Sequence, residues 1–363
     1  MLFAYIALTL IIFRFLVAVI NLISRLHLSE DQKSPDASLV SLLIPARNEG
    51  ENIIRLLNDI EEQPFKNIEV IIYDDDSEDQ TAALVQEFIA DKNKYRLISG
   101  TQLPEDWLGK NYACHELAKA AQGDYLLFLD ADVRIRGNLI SSAIEHLKKY
   151  GLQLVSIFPK QIMESLGEKL TVPLMNLILL SLLPMTFIRR MRNPAFAAAN
   201  GQFMLFTAKN YNMNKWHEKF RKEKVEDIAI QRAIKKQNGK VDTLLGDQHI
   251  ECRMYHGFFE GVKGFAKNLP SFYGNSFLMS GLYMCITYIG FLLVVLKLSW
   301  FHGMAYCMAG LLIHGMIACK SRQSVAESIL YLLPRTLVIP LVYFSSLYLH
   351  ATKKMIWKGR RVL

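Results

Sequence analysis

The sequence has no Cys-x-x-Cys pair and no even set of cysteines: Cys114, Cys252, Cys285, Cys307 and Cys319 stand singly. A disulfide framework and a thiolate zinc site are therefore not expected, and the usage suits a reducing compartment. There is no internal repeat or low-complexity tract, and no basic and aromatic module of the kind that reads DNA or RNA, so nucleic acid is not an expected partner. A glycine-rich basic loop for a triphosphate is missing too. The segment where one would sit, "PARNEGEN", is too acidic.

What the chain has in excess is apolar sequence. Hydrophobic residues fill 51% of its 363 positions, high for a purely soluble enzyme. The opening run "MLFAYIALTLIIFRFLVAVINLI" has about the length of a bilayer core and is broken chiefly by Arg14. It lacks the leading charge and cleavage site of a secretory signal, so residues 1–26 are expected to form an uncleaved membrane anchor. Apolar stretches near 276–296, 303–319 and 329–349 predict further membrane helices within 274–350, followed by a basic tail, 351–363. A shorter patch, "TVPLMNLILLSLLPMTFI", carries prolines near both ends and runs into "RRMR". Within 171–192 it reads as an interfacial helix or hairpin, with a buried core helix as the alternative. The net charge of +8 concentrates beside these apolar segments, which points to anionic membrane lipids as partners.

Between the termini the pattern alternates strand and helix. "LVSLLIPA", "NIEVIIYDDD", "YRLISG" and "DYLLFLDAD" read as strands, with helical spacing between them, as at Ile53, Ile54, Leu57 and Ile60. Strands apolar on both faces imply an α/β fold with a parallel sheet covered by helices on two sides. Ligands then bind beyond the carboxyl ends of the strands, where the polar clusters fall.

Those clusters are acidic. Asp74, Asp75 and Asp76 are consecutive, and like charges this close need donors or a cation. As a solvated turn they carry no function; at a strand end, a carboxylate can accept from a nucleoside's base or ribose. Asp130 and Asp132 flank one residue and so point to one side of an extended segment, where hard oxygens suit Mg2+ or Mn2+. Glu226 and Asp227 open the helical segment "VEDIAIQRAIKKQ": they either complement the helix dipole or supply a general base.

Taken in order, "VSLLIPARNEGENI", "YDDDSEDQT", "FLDADV" and "VEDIAI" resemble the family 2 glycosyltransferases, inverting enzymes with the glycosyltransferase A-type fold, a Rossmann-like, mostly parallel sheet with helices on both faces. "LPEDWLGKNYAC" and "CRMYHGFFEGVKGFAKN" resemble more narrowly the membrane members of carotenoid and hopanoid pathways. The resemblance implies a catalytic domain over 39–268. It implies that Pro45, Ala46 and Glu49 line the nucleotide pocket, that Asp75 binds uracil or ribose, that Asp130 contacts ribose and metal, and that Asp132 ligates the metal. Asp227 would be the base and Glu226 its neighbour on the acceptor side. Lys110 and Arg253 are candidates to add positive charge near the diphosphate, His256 for a third metal ligand, and Gly201 and Gln202 for the acceptor side. Asp76 stands where the pattern has glycine. The Gln-x-x-Arg-Trp signature of processive synthases is missing, so one sugar is expected per acceptor.

The resulting expectation is a membrane-bound, metal-dependent transferase moving one sugar from a UDP-linked nucleotide diphosphate sugar to a lipid: a carotenoid acid, hopanoid, polyprenyl phosphate or glycerolipid. The alternatives are a metal-dependent nucleotidyltransferase and a non-catalytic nucleotide-sugar or lipid-binding scaffold. A multi-pass protein of the cell membrane with its catalytic domain in the cytoplasm is expected. One anchor plus three spans would put the basic tail outside, against the positive-inside tendency, so either 329–349 is re-entrant or 303–319 does not span.

Overall fold

The computed structural model describes residues 1–29, 38–100, 102–352 and the backbone of 356–357 and 360–361. It divides into two compact units. The first, Leu26–Lys160 with Phe187–Cys252, is α/β. Its seven-stranded sheet runs, edge to edge, Tyr95–Ser99, Ile68–Asp74, Val40–Ala46, Tyr125–Leu129, Phe203–Thr207, Leu154–Phe158, Val241–Leu245. Six strands share one direction. Phe203–Thr207 opposes both its neighbours, pairing Phe128 with Met204 and Val155 with Leu205.

The sheet is buried on both faces, as its uninterrupted apolar strands require. Leu42, Leu43 and Ile44 are all fully buried. Helix Ile53–Glu61 forms because Ile53, Leu56, Leu57 and Ile60 recur at helical spacing, and all four are sealed against the sheet. Helix Leu139–Tyr150 stops at Gly151, whose φ of +61° is the left-handed conformation that ends helices and favours glycine. The register of the central strands sets Ala46 beside Asp74 and Asp74 beside Ser99, so the polar strand ends share one rim.

The second unit gathers Met1–Arg25, Gln161–Thr186 and Arg253–Leu363. Four of its helices are long and apolar enough to cross a membrane: Leu2–Ile23, Phe277–Lys297, Trp300–Lys320 and Leu332–Thr352. At most 33% of the apolar window of each is buried within the protein, and side chains such as Phe3, Ile23 and Phe301 are exposed. Water would penalise that surface; lipid would not.

Residues 161–186 and 253–268 group with the apolar helices, because Val172, Leu174, Phe265 and Leu269 share a core with Val338 and Val342. The patch at 171–192 is itself broken into Pro173–Leu182 and Thr186–Arg190. Buried Asn21 caps the first of these: its Nδ2 donates to the carbonyls of Leu180 (2.9 Å) and Leu183 (2.8 Å) and its Oδ1 accepts from Met185 N–H (2.8 Å). Carbonyls that end a helix without partners are costly in an apolar setting, and one amide side chain answers them. The expected basic tail lies largely outside the described residues.

Candidate active site

The first strand-end cluster is tied to the second by backbone. Asp75 N–H donates to the Ala46 carbonyl at 2.8 Å, and Arg47 donates to the carbonyls of Asp75 (2.5 Å) and Asp76 (2.8 Å). Glu49 N–H donates to Thr81 Oγ1 at 2.8 Å, and the Glu49 carboxylate accepts from Asn52 at 2.9 Å. Burial would raise the Asp79 carboxyl, but donors from Thr81 and Gly50 outweigh it and hold it below the usual range. Asp74 and Asp75 are buried, and Asp74 Oδ1 has no partner among the described residues. That orphan acceptor marks Asp74, beside Asp75, as a group awaiting a donor.

Asp76, in place of the usual glycine, has φ of +57°. Aspartate tolerates this region better than bulkier residues, which accounts for the departure. Replacing it with glycine should leave stability nearly unchanged, whereas Asp76→Val should cost about 1–2 kcal/mol, read as a shift in the urea midpoint at constant slope.

A tighter cluster forms where Tyr125–Leu129 ends. Lys110 Nζ lies 2.7 Å from the Asp130 carboxylate and 3.9 Å from Glu226 Oε1. Burial opposes charge on Lys110, but Asp130 and Glu226 outweigh it and raise its pKa, so the ammonium persists. Helix Gly109–Ala120 presents this lysine, and its next residue fixes the facing loop: buried Asn111 donates to the carbonyls of Phe220 (3.0 Å), Arg221 (3.3 Å) and Glu223 (2.9 Å). The segment "LGKNYAC" therefore both supplies a cation and positions the approach to Glu226.

Glu226 and Asp227 open helix Glu226–Lys236. Asp227 accepts from its neighbour Ile228 N–H (2.7 Å) and from Gly201 N–H (2.9 Å). Burial, then the nearby Glu226, drives its carboxyl upward to about 7 against the pull of those donors and Lys110. Gly201 leaves little spare room: a Cβ there would stand 3.1 Å from Lys110 Nζ and 3.3 Å from Glu226 Oε1, so both side chains would have to give slightly. The adjacent Gln202 Nε2 donates to both oxygens of Asp132 at 3.3 Å and also to Cys252 Sγ. Cys252 reaches this point because Ile250–Cys252 pairs antiparallel with Val133–Ile135, setting Cys252 opposite Val133. Its role was not legible in a sequence where it stands alone.

Asp130, Asp132, Lys110, Gly201, Gln202, Glu226 and Asp227 thus belong to one unit and are linked by hydrogen bonds or close approach. Arg253 and His256 belong to the helical unit. The Arg253 guanidinium is engaged by Glu164 (2.6 Å) and Glu168 (2.9 Å), and His256 is exposed with its backbone N–H donating to Glu260 (2.8 Å). Burial would raise Glu168, yet Arg253, the Glu164 N–H and the Ser165 hydroxyl bring it down to about 2, which explains why Arg253 is committed there.

For a divalent ion the donor set is hard oxygen only. Among the described residues no group of three or more His, Cys, Asp and Glu side chains converges as a metal cage. Two carboxylates with the remaining positions left to water and diphosphate is how Mg2+ usually sits on a nucleotide enzyme, so Asp130 and Asp132 fit such an ion.

The model of the family described as "Glycosyl transferase family 2" matches residues 41–212, which include both strand-end clusters, Lys110 and the Gly201–Gln202 turn. That match takes in just under half of the chain. The chain is 28% identical over 337 residues to the 4,4'-diaponeurosporenoate glycosyltransferase of Staphylococcus haemolyticus, covering 89% of this chain and 88% of that one. With the enzyme of the same name from Staphylococcus aureus (strain USA300) it shares 26% over 242 residues, 65% of this chain and 62% of that one. Among solved structures, a mannosyltransferase from Pyrobaculum calidifontis in complex with GDP-Man and Mn2+ superposes with a TM-score of 0.59 at 15% identity, over 97% of this chain and 100% of that one. That likeness shows the fold, which is glycosyltransferase A-type.

Proposed function

We propose that this chain is a family 2 glycosyltransferase that moves one sugar from a UDP-linked donor to a lipid acceptor with inversion at the anomeric carbon. The observation that carries the reading is Asp227: a carboxylate with its pKa moved to about 7, oriented by the Gly201 N–H, and joined through Lys110 and Glu226 to the Asp130 rim. Asp227 takes the proton of the acceptor hydroxyl as its oxygen attacks the anomeric carbon. The bond from that carbon to the diphosphate breaks on the opposite side, and the electron pair leaves with the diphosphate. Asp74 and Asp75 accept from the nucleoside, and Lys110 offers its charge to the diphosphate. Asp130 and Asp132 would hold Mg2+ or Mn2+, which when bound supplies charge neutralisation for the leaving group.

The lipid acceptor is supported by the four apolar helices, since a soluble acceptor needs no such surface. The names of the Staphylococcus relatives favour a carotenoid acid among the candidate lipids; such a carboxylate attacks already deprotonated, so the proton-taking role of Asp227 applies to the hydroxyl acceptors. We place the domain in the cytoplasm on a multi-pass membrane protein, where nucleotide sugars are made. Carbonate extraction of cell membranes tests the spans: the protein stays in the pellet if they cross.

Detergent-solubilised protein with labelled UDP-sugar, Mn2+ and host lipid extract tests the reaction. Labelled lipid supports it; release of diphosphate from a nucleoside triphosphate, or donor binding without turnover, would replace it. Lys110→Met has its own signature. Lys110 lowers the Asp227 pKa, so its loss moves the acidic limb of the pH–rate profile above pH 7 as turnover falls. An unmoved limb separates Lys110 from the base.

A further inference from the structure

Within the helical unit lies an apolar cleft with arginines on its wall. It holds about 690 Å³ of space outside protein atoms, its open side included, and Leu174, Leu177, Phe265, Leu269, Ile339 and Val342 line it. Arg14, His314 and Arg335 also face it, and its lining contains no Asp or Glu. Both arginines are buried, with 6% and 4% of their surfaces exposed.

The two cations are provided for unequally. Arg335 donates from Nε to the Lys169 carbonyl at 2.8 Å and from Nη1 to the carbonyl and hydroxyl of Ser328 at 3.3 and 3.2 Å. Glu327, in the same unit, pairs with Lys169 at 2.7 Å. Arg14 has less: Nε donates to Ser181 Oγ at 3.2 Å, and the guanidinium carbon stands 5.7 Å from the Tyr283 ring centroid. Among the described residues no carboxylate pairs with it.

Arg14 stands nine residues before Ile23, roughly 14 Å at 1.5 Å per residue, too deep for its head to leave the helix end. A guanidinium does not shed its proton, so the charge stays, and a buried charge without an anion is strongly unfavourable. No described residue supplies that anion, which leaves the place open to one from outside the chain. The remaining wall is hydrocarbon, so the anion arrives attached to an apolar chain.

We propose that this cleft binds a long-chain anionic amphiphile, with a carboxylate or phosphate head at Arg14 and its chain along Leu177, Phe265, Leu269 and Ile339. The inference rests on reading the four long helices as lying in lipid, which the membrane extraction tests separately.

The test measures binding without turnover. Full-length protein in phosphatidylcholine nanodiscs is titrated with cis-parinaric acid and with its methyl ester, empty nanodiscs serving as reference. A charge-assisted contact should make the acid bind roughly tenfold tighter or more than the ester. Arg14→Gln should bring the two to parity by weakening only the acid, and Arg14→Lys should keep part of the preference. Competition assigns the head: displacement by farnesyl phosphate but not farnesol identifies phosphate, and displacement by hexadecanoate alone identifies carboxylate. Equal binding of acid and ester to the unaltered protein, a preference unchanged in Arg14→Gln, or displacement by neither anion overturns the proposal. Should Arg14→Gln fail to fold, Thr336→Trp, which adds bulk to the lining of the cleft, decides: lost acid binding supports the site and undiminished binding sinks it.

Discussion

Asp227→Asn is expected to lower turnover on a hydroxyl acceptor by roughly 10²–10⁴-fold, the range for a positioned general base, while donor affinity changes little. The substitution keeps the size of the side chain and one oxygen for the Gly201 donor; the Ile228 N–H, which uses the other oxygen, loses its acceptor, and the capacity to take a proton is removed. Two further readouts separate this from structural damage. The unaltered enzyme should gain activity as pH rises through about 7, where Asp227 ionises, and the variant's residual activity should lack that limb. Stability should move the other way. A carboxyl whose folded pKa is raised from 3.8 to about 7 favours the native state at low pH, and that contribution is lost as pH climbs through the folded value. At pH 8 the variant should therefore unfold at a temperature equal to or above that of the unaltered protein. Normal turnover, or a collapsed fold, would remove Asp227 from the role.

Asp132→Ala carries the second large expected effect, a loss of roughly a hundredfold or more in turnover, because charge on a departing diphosphate is worth several kcal/mol when neutralised. Binding distinguishes this from general disruption. The free Mn2+ signal in electron paramagnetic resonance should fall when the unaltered protein and UDP are added, and should persist with the variant. Gln202 loses a carboxylate acceptor but keeps Cys252 Sγ and its backbone donor to Asn200 Oδ1 at 2.8 Å, so the turn it occupies should survive. Undiminished activity in chelator would overturn the assignment more directly than any substitution.

The elements of the α/β unit were legible because local and tertiary demands agree there. Strands such as "LLFL" are apolar throughout since both faces are covered, and the helices between them repeat their apolar residues at the spacing that packing needs. Asp130, Asp132 and Asp227 stood out because charge at the rim of such a sheet conflicts with burial unless it serves something. Lys110 was visible as a cation but not as the partner of Asp130 and Glu226, which are 20 and 116 residues away. Asn111 was not visible at all, since three carbonyls of a distant loop leave no trace in an asparagine. The reversed strand Phe203–Thr207 reads like its parallel neighbours, because direction has no compositional signature. The grouping of 161–186 and 253–268 with the apolar helices escaped for a similar reason: amphipathic helices bury one face against whatever hydrocarbon surface is available, and the sequence does not name it.

The Asn21 bridge has a consequence for how the chain is made. Its three partners lie 159 to 164 residues downstream, so the first helix leaves the ribosome long before they exist. During that interval its amide must be served by solvent or translocon, and the helix docks only after Leu26–Lys160, the larger part of the α/β unit, has been synthesised. Ribosome-bound chains halted before Met185 should accordingly hold this helix loosely, and those halted beyond it should hold it fast.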